Sequence, residues 1–199
     1  MTHSKFMATY FDSRAQEWDR QQQADPMNRV KALSVAWLAG VGPSSSVLDV
    51  GCGTGVMVPG YLELGASRVV AIDVSPRMIQ LACDRYGDEK RVEFHALDIL
   101  DYEADDPFDA VVIYNAYPHF LDKARLVEKV ASVLRPQGRV TVVHSLSREE
   151  INSHHGVVPE EVTTGLAPVA ESAQVWRSHF VIDAMADTDH YFFFSGTLR

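Results

Sequence analysis

The residues best suited to chemistry sit together in Asp49-Val50-Gly51-Cys52-Gly53-Thr54-Gly55, where a carboxylate precedes three glycines at alternate positions. The apolar run Val47–Val50 leads into them, and a helical pattern begins near Val56. Glycines at such a turn allow unusual dihedrals and let a ligand approach the backbone directly. A plain strand-to-helix turn would use them for the dihedrals alone. A dinucleotide fold would need G-x-G-x-x-G around a pyrophosphate. Here Val56 stands at the third glycine's place, and Asp49 would repel a pyrophosphate. The carboxylate suits a ligand carrying positive charge, so an ammonium- or sulfonium-bearing cofactor is favoured over NAD.

Asp73 closes the run Val70-Ala71-Ile72-Asp73-Val74-Ser75, 22 residues after Gly51. A carboxylate at that station can accept both hydroxyls of a ribose. It can equally favour the dipole of the helix that Ser75-Pro76 would open. A second group runs from His144 to His155, directly after the strand-like Arg139–His144. Ser147 and Glu150 have the spacing of a capping box, so a helix should start at Arg148. At about 100° per residue, Arg148, Asn152 and His155 then share an arc of roughly 60°. If that face lines a pocket, Arg148 anchors an anionic group, Asn152 orients it, and His144 or His155 acts as base. If it meets solvent, it is only a polar helix. His119 is open in the same way, between a chamber residue and a packing residue. Five of the eight histidines follow residue 140. Adjacent His154 and His155 diverge by about 100° on a helix, and no ligand spacing is present, so no metal is expected.

The elements that must position these groups alternate along the chain. Short β-rich runs at Val47–Val50, Arg68–Val74, Val92–His95, Asp109–Tyr114 and Arg139–His144 are separated by helical stretches at Gly55–Leu64, Pro76–Tyr86 and Asp122–Leu134. Val111-Val112-Ile113 is apolar at every position, the pattern of a strand buried on both faces of a parallel sheet. Phe180–Met185 and Tyr191–Ser195 flank a polar pentapeptide and suggest an antiparallel hairpin. Ahead of the sheet, Lys5 to about Gln23 reads as one amphipathic helix and Pro26–Ala39 as a second. Arg135–Arg139 reads as a turn.

Length and composition bound the rest. The 199 residues suit a single domain, and 46% apolar with 23% charged residues is ordinary for a globular protein. With 27 acidic and 18 basic residues the net charge is −9, and no basic cluster offers itself to a phosphate backbone. Nucleic acid is therefore not expected as a partner. Two cysteines, no apolar leader and no run of membrane-spanning length point to a cytoplasmic protein without a membrane partner.

The segment Val-Leu-Asp-Val-Gly-Cys-Gly-Thr-Gly at 47–55 resembles motif I of the class I S-adenosylmethionine-dependent methyltransferases, and the resemblance extends over most of the chain. It implies an α/β fold: a doubly wound, Rossmann-like, seven-stranded sheet with a reversed C-terminal strand, preceded by N-terminal cap helices. It implies S-adenosylmethionine as cofactor, with Asp49, Gly51, Gly53 and Gly55 around it and Asp73 and Val74 at its ribose. Asp98 would accept from the adenine amino group between Met78, Leu97 and Ile99, unless it is simply a solvated loop acid. Asn115 would line the methionine end. Tyr10–Asp19 is similar to a lid helix, which would bring Tyr10 or Trp18 to the cofactor.

Asn115-Ala116-Tyr117-Pro118 departs from the Asn/Asp-Pro-Pro-Tyr of enzymes that methylate amide or base nitrogens. The expected acceptor is therefore the oxygen or sulfur of a small molecule, methylated by in-line displacement. A non-catalytic S-adenosylmethionine-binding or accessory protein is the alternative, and an NAD oxidoreductase is disfavoured by Asp49. One domain is expected: residues 1–45 as helices and lid, 46–145 as cofactor core, 146–168 as a substrate-side insertion, and 169–199 as a final helix and hairpin.

Overall fold

The computed structural model describes residues 3–156 and 158–199, with the side chain of His155 also outside the description. Three helices come first, α1 (His3–Asp12), α2 (Ala15–Ala24) and α3 (Asn28–Leu38). The single helix expected over Lys5–Gln23 is thus two. The break at Ser13–Arg14 carries no glycine or proline; Ser13 Oγ and Arg14 Nη1 both donate back to the Tyr10 carbonyl. The next helix starts at Asn28 rather than Pro26, after Asp25 accepts from the Met27 amide and pairs with Lys31.

Seven strands follow: β1 (Ser46–Val50), β2 (Arg68–Asp73), β3 (Val92–Ala96), β4 (Phe108–Tyr114), β5 (Leu134–His144), β6 (Phe180–Asp187) and β7 (Phe192–Leu198). Between them lie α4 (Val58–Glu63), α5 (Pro76–Tyr86), α6 (Lys123–Val133), α7 (Arg148–His155) and α8 (Val169–Gln174). The sheet order is β3-β2-β1-β4-β5-β7-β6. Strands β1 to β5 pair in parallel, and β7 runs antiparallel between β5 and β6. This is the doubly wound sheet with a reversed last strand. The direction of winding changes between β1 and β4, and ligands of such sheets bind outside the carboxyl ends at that point.

Strand alternation explains the apolar runs. Leu48, Val50, Val111 and Ile113 face one core layer with α6, Trp176 and Phe194, while Val47, Val69 and Val112 face the other with α3 and α4. Each layer is closed by helices, so both faces are apolar. Arg135–Arg139, expected as a turn, is counted within β5, but the pairing with β4 shifts register between Phe108 and Ala110 and Gln137 has φ of 66°. The local chain is turn-like even inside the strand. α4 begins at Val58, three residues later than the pattern suggests, because the glycine turn extends through Met57.

Candidate active site

The carboxyl ends of β1, β2 and β4, together with α1 and α2, enclose a cavity of about 630 Å³. Its floor is the glycine turn. Gly51 and Cys52 both donate their amides to the Ile72 carbonyl, at 2.9 and 3.0 Å, which pins the turn to β2. Gly51 has φ of 72°, and a Cβ there would lie 2.6 Å from the Ala116 Cβ. No larger residue fits that approach of two loops. Gly53, at φ 54°, sits under the Trp18 indole, 3.5 Å from where its Cβ would be. Gly55 is behind the cavity wall, against Tyr86.

Three acids stand around this floor. Asp49 is 1% exposed, and among the described residues neither of its carboxylate oxygens makes a hydrogen bond of good geometry. Burial, reinforced by the charge of Asp73 and offset only in part by the Tyr61 hydroxyl, pushes its carboxyl up to about 8. A buried carboxylate left this way is costly unless a donor or cation reaches it. Asp73 is better provided: Oδ2 accepts from the Gly53 amide and Oδ1 from the Ser75 amide, both at 2.9 Å. Burial still outweighs those bonds and raises it to about 6. A carboxylate has about four lone-pair sites, so each oxygen can accept once more. Asp98 caps a 3₁₀ turn by accepting from the Leu100 amide at 3.0 Å, and its other oxygen takes the Ser4 hydroxyl at 2.6 Å.

Val74, Met78, Leu97, Ile99, Asn115, Tyr10 and Trp18 all line the same cavity. Asn115 is also a strut: its amide donates to Ser145 Oγ at 3.1 Å, and its Oδ1 accepts from the Ser145 amide at 2.9 Å. That exchange ties the ends of β4 and β5 together.

The helices over the cavity are fastened to its rim. Asp12, the last residue of α1, accepts from Ser75 Oγ and from the Arg77 amide at the start of α5. Both carboxylate oxygens of Asp19 on α2 accept from Arg85 Nη2, at 2.9 and 3.0 Å. Sequence reasoning missed Ser4, Met7, Phe11 and Arg14, which line the cavity beside Tyr10 and Trp18. The signal was present, since residues 3, 7, 10, 14 and 18 recur at helical spacing. The pattern marks a buried face without saying whether protein or ligand buries it.

The second predicted group separates. His144, 2% exposed, lines the cavity with its ring edge-on to Phe192. The capping box at Ser147 and Glu150 forms as expected and starts α7 at Arg148. Arg148 and Asn152, however, do not line the cavity. Arg148 turns outward, donating from Nε to Asp187 on β6 at 2.9 Å. Asn152 is consumed by backbone, giving Nδ2 to the Leu166 carbonyl and taking the Leu166 amide at Oδ1. The side chain of His155 lies outside the described residues. Ile151 and His154 meet the cavity from α7 instead, His119 and Phe120 meet it from the loop after β4, and Arg125 from α6.

A buried carboxylate short of donors, an acid at the end of β2 with acceptor capacity to spare and a glycine floor with no room for a Cβ at Gly51 suit the donor and charge pattern of S-adenosylmethionine. Residues 47–138 match the methyltransferase domain family. With the seven-stranded topology, that match supports a class I S-adenosylmethionine-dependent methyltransferase with S-adenosylmethionine as its cofactor. The chain is 28% identical over 176 residues to the ubiquinone biosynthesis O-methyltransferase of Xanthomonas campestris pv. campestris, covering 84% of this chain and 73% of that one. Among solved structures it is similar to a chain of the complex between the Haloferax volcanii Trm112 methyltransferase activator and a methyltransferase, with TM-score 0.79, 20% identity, and 96% and 97% coverage. It is also similar to magnesium protoporphyrin IX methyltransferase from Synechocystis with bound S-adenosylhomocysteine, with TM-score 0.74, 18% identity and full coverage of both chains. No helix among the described residues is long and apolar enough to cross a membrane.

Proposed function

We propose that this enzyme transfers a methyl group to an oxygen of a small, largely apolar acceptor such as a phenol or carboxylic acid. The observation that carries this is the continuity of the cavity. One cavity is lined by the acids Asp49, Asp73 and Asp98, by the apolar Phe11, Leu121, Leu146 and Ile151, and by the imidazoles of His119, His144 and His154. An apolar chamber with a few polar groups suits a small molecule, and a volume of about 630 Å³ is of that order. The similarity to an O-methyltransferase supports the oxygen acceptor, as does the absence of the Asn/Asp-Pro-Pro-Tyr sequence at 115–118. The net charge of −9 counts against a nucleic-acid acceptor. Cys52 and Cys83 are both free thiols, in keeping with a cytoplasmic setting.

When bound, S-adenosylmethionine supplies an activated methyl group. Asp49, Gly51 and Gly53 would hold its amino-acid end, with Asn115 beside it. Asp73 and Val74 would hold the ribose, and Asp98 with Met78, Leu97 and Ile99 the adenine. The chain's remaining work is to align the acceptor, exclude water and receive a proton. Within residues 1–45, α1 and α2 act as the lid, with Tyr10 and Trp18 over the cofactor, while α3 closes a core layer, and 46–145 form the cofactor core. Residues 146–168 shape the acceptor end, and 169–199 complete the sheet.

Calorimetry with S-adenosylmethionine and S-adenosylhomocysteine, followed by mass spectrometry of reactions with 3,4-dihydroxybenzoate, a long-chain dicarboxylic acid, a thiol and an amine, tests the reading. Cofactor binding with methyl ester or ether formation is expected. Methylation of the amine alone would overturn the oxygen assignment.

A further inference from the structure

We propose that Arg14 binds the carboxylate at the cofactor's methionine end, which makes the break between α1 and α2 part of the cofactor site. The inference rests on S-adenosylmethionine as cofactor and is independent of the acceptor. S-adenosylmethionine and S-adenosylhomocysteine both carry an ammonium and a carboxylate on one carbon. Asp49 can answer the ammonium. The carboxylate must then lie close to Asp49, in a cavity also lined by Asp73 and Asp98. An anion set among acids needs a cation to offset them. Among the described residues, Arg14 and Arg125 are the arginines on the cavity wall, no lysine joins them, and neither forms an ion pair. Position separates the two. Arg125 stands in the first turn of α6, which is capped by Asp122, an acid on the same wall. Arg14 stands between Tyr10 and Trp18 on the helices over the glycine floor, and the Trp18 indole reaches Gly53 in the turn that Asp49 leads into.

The side chain is already held in place. At the break it folds back, so that the guanidinium lies over the Tyr10 ring, 3.7 Å from the centroid. Nη1 donates to the Tyr10 carbonyl at 3.3 Å and to Ser13 Oγ at 3.1 Å. Nε and Nη2 make no hydrogen bond among the described residues. Those two nitrogens form the edge of the fork that meets a carboxylate with two parallel bonds. Nearby arginines on the same helices are already satisfied: Arg20 pairs with Glu17, and Arg85 with Asp19. A guanidinium with its stem fixed and one edge open loses little freedom on taking an anion.

Calorimetry on wild type, Arg14→Gln and Arg14→Lys tests the contact with two ligands, S-adenosylhomocysteine and its decarboxylated analogue 5′-deoxy-5′-(3-aminopropylthio)adenosine. The analogue keeps the adenine, ribose and ammonium and lacks only the carboxylate. Arg14→Gln is expected to weaken S-adenosylhomocysteine about tenfold to a hundredfold, the range of a charge-assisted hydrogen bond, while the analogue stays within about threefold of wild type. Arg14→Lys should retain part of the difference, since it keeps the charge and loses the fork. An equal loss for both ligands in Arg14→Gln would assign the residue to the shape of the lid and overturn the proposal. Unchanged S-adenosylhomocysteine affinity in that variant would overturn it as well. A wild type that binds neither ligand would overturn the cofactor reading, and this contact with it.

Discussion

Asp49 and Asp73 carry charge into a place that stabilises it poorly without a ligand. Both carboxyls are raised, to about 8 and about 6, chiefly by burial. In the unfolded chain each would lose its proton near the ordinary carboxylate value. Between those limits the folded protein binds more protons than the unfolded one, so these groups make stability fall as pH rises. The ligand-free protein should therefore melt at lower temperature at pH 8 than at pH 5.5. Asp49→Asn should flatten that slope and raise stability at pH 8 by up to a few kcal/mol, since a tenfold difference in proton affinity is worth about 1.4 kcal/mol. The same variant should weaken S-adenosylhomocysteine binding at least tenfold. Thermal melts across the pH range and calorimetry at pH 7.5 check both; a wild-type protein that grows more stable from pH 6 to 8 would contradict the argument. The places of Asp49 and Asp73 at the cavity were legible in sequence because one precedes a glycine turn and the other ends a strand. Arg148 and Asn152 were not. Their shared face was read correctly from helical geometry, but its partners, Asp187 and Leu166, lie 39 and 14 residues further along the chain.

At the scale of elements, two braces set the cavity's shape. Asn152 joins α7 to the segment at Leu166 through two hydrogen bonds of 2.9 and 2.7 Å. Removing it in Asn152→Ala strands a backbone donor and acceptor, at a cost of about 1–3 kcal/mol. Because the same insertion is proposed to shape the acceptor end, the acceptor KM should rise severalfold while cofactor affinity holds. Steady-state kinetics with calorimetry separates the two, and an equal loss of both would assign Asn152 to general folding. The other brace is Asp12, which fastens α1 to the start of α5. Asp12→Ala should weaken S-adenosylhomocysteine binding about threefold to tenfold and speed trypsin cleavage at Arg14 and Arg20, because about 1 kcal/mol of capping interaction is lost. That brace also explains why one expected helix became two. Nothing in Ser13–Arg14 forbids helix, and the break appears where α1 meets α5. The strands were far more legible, since Val111-Val112-Ile113 must bury both faces wherever it goes.

At the scale of the whole molecule, the sheet brings the carboxyl ends of β1, β2 and β4 to one place, and the N-terminal helices close over them. The proposed cofactor contacts thus join residues from 10 to 115, and binding should stabilise the fold as a unit. A ligand held only by the folded state and present at a hundred times its Kd adds about 2.7 kcal/mol. A domain near this size gains about 2–4 °C in Tm for each kcal/mol. Saturating S-adenosylhomocysteine should therefore raise Tm by roughly 5–11 °C. NAD at the same concentration should raise it by less than a degree or so, because its pyrophosphate would face the Asp49 carboxylate and finds no third glycine at position 56. Scanning calorimetry with each ligand makes the comparison. Equal shifts would mean that Asp49 does not discriminate by charge. Asp49→Asn then isolates the cause: if the carboxylate is the discriminator, the variant should lose most of the S-adenosylhomocysteine shift and gain nothing with NAD, since the missing glycine still bars the pyrophosphate turn.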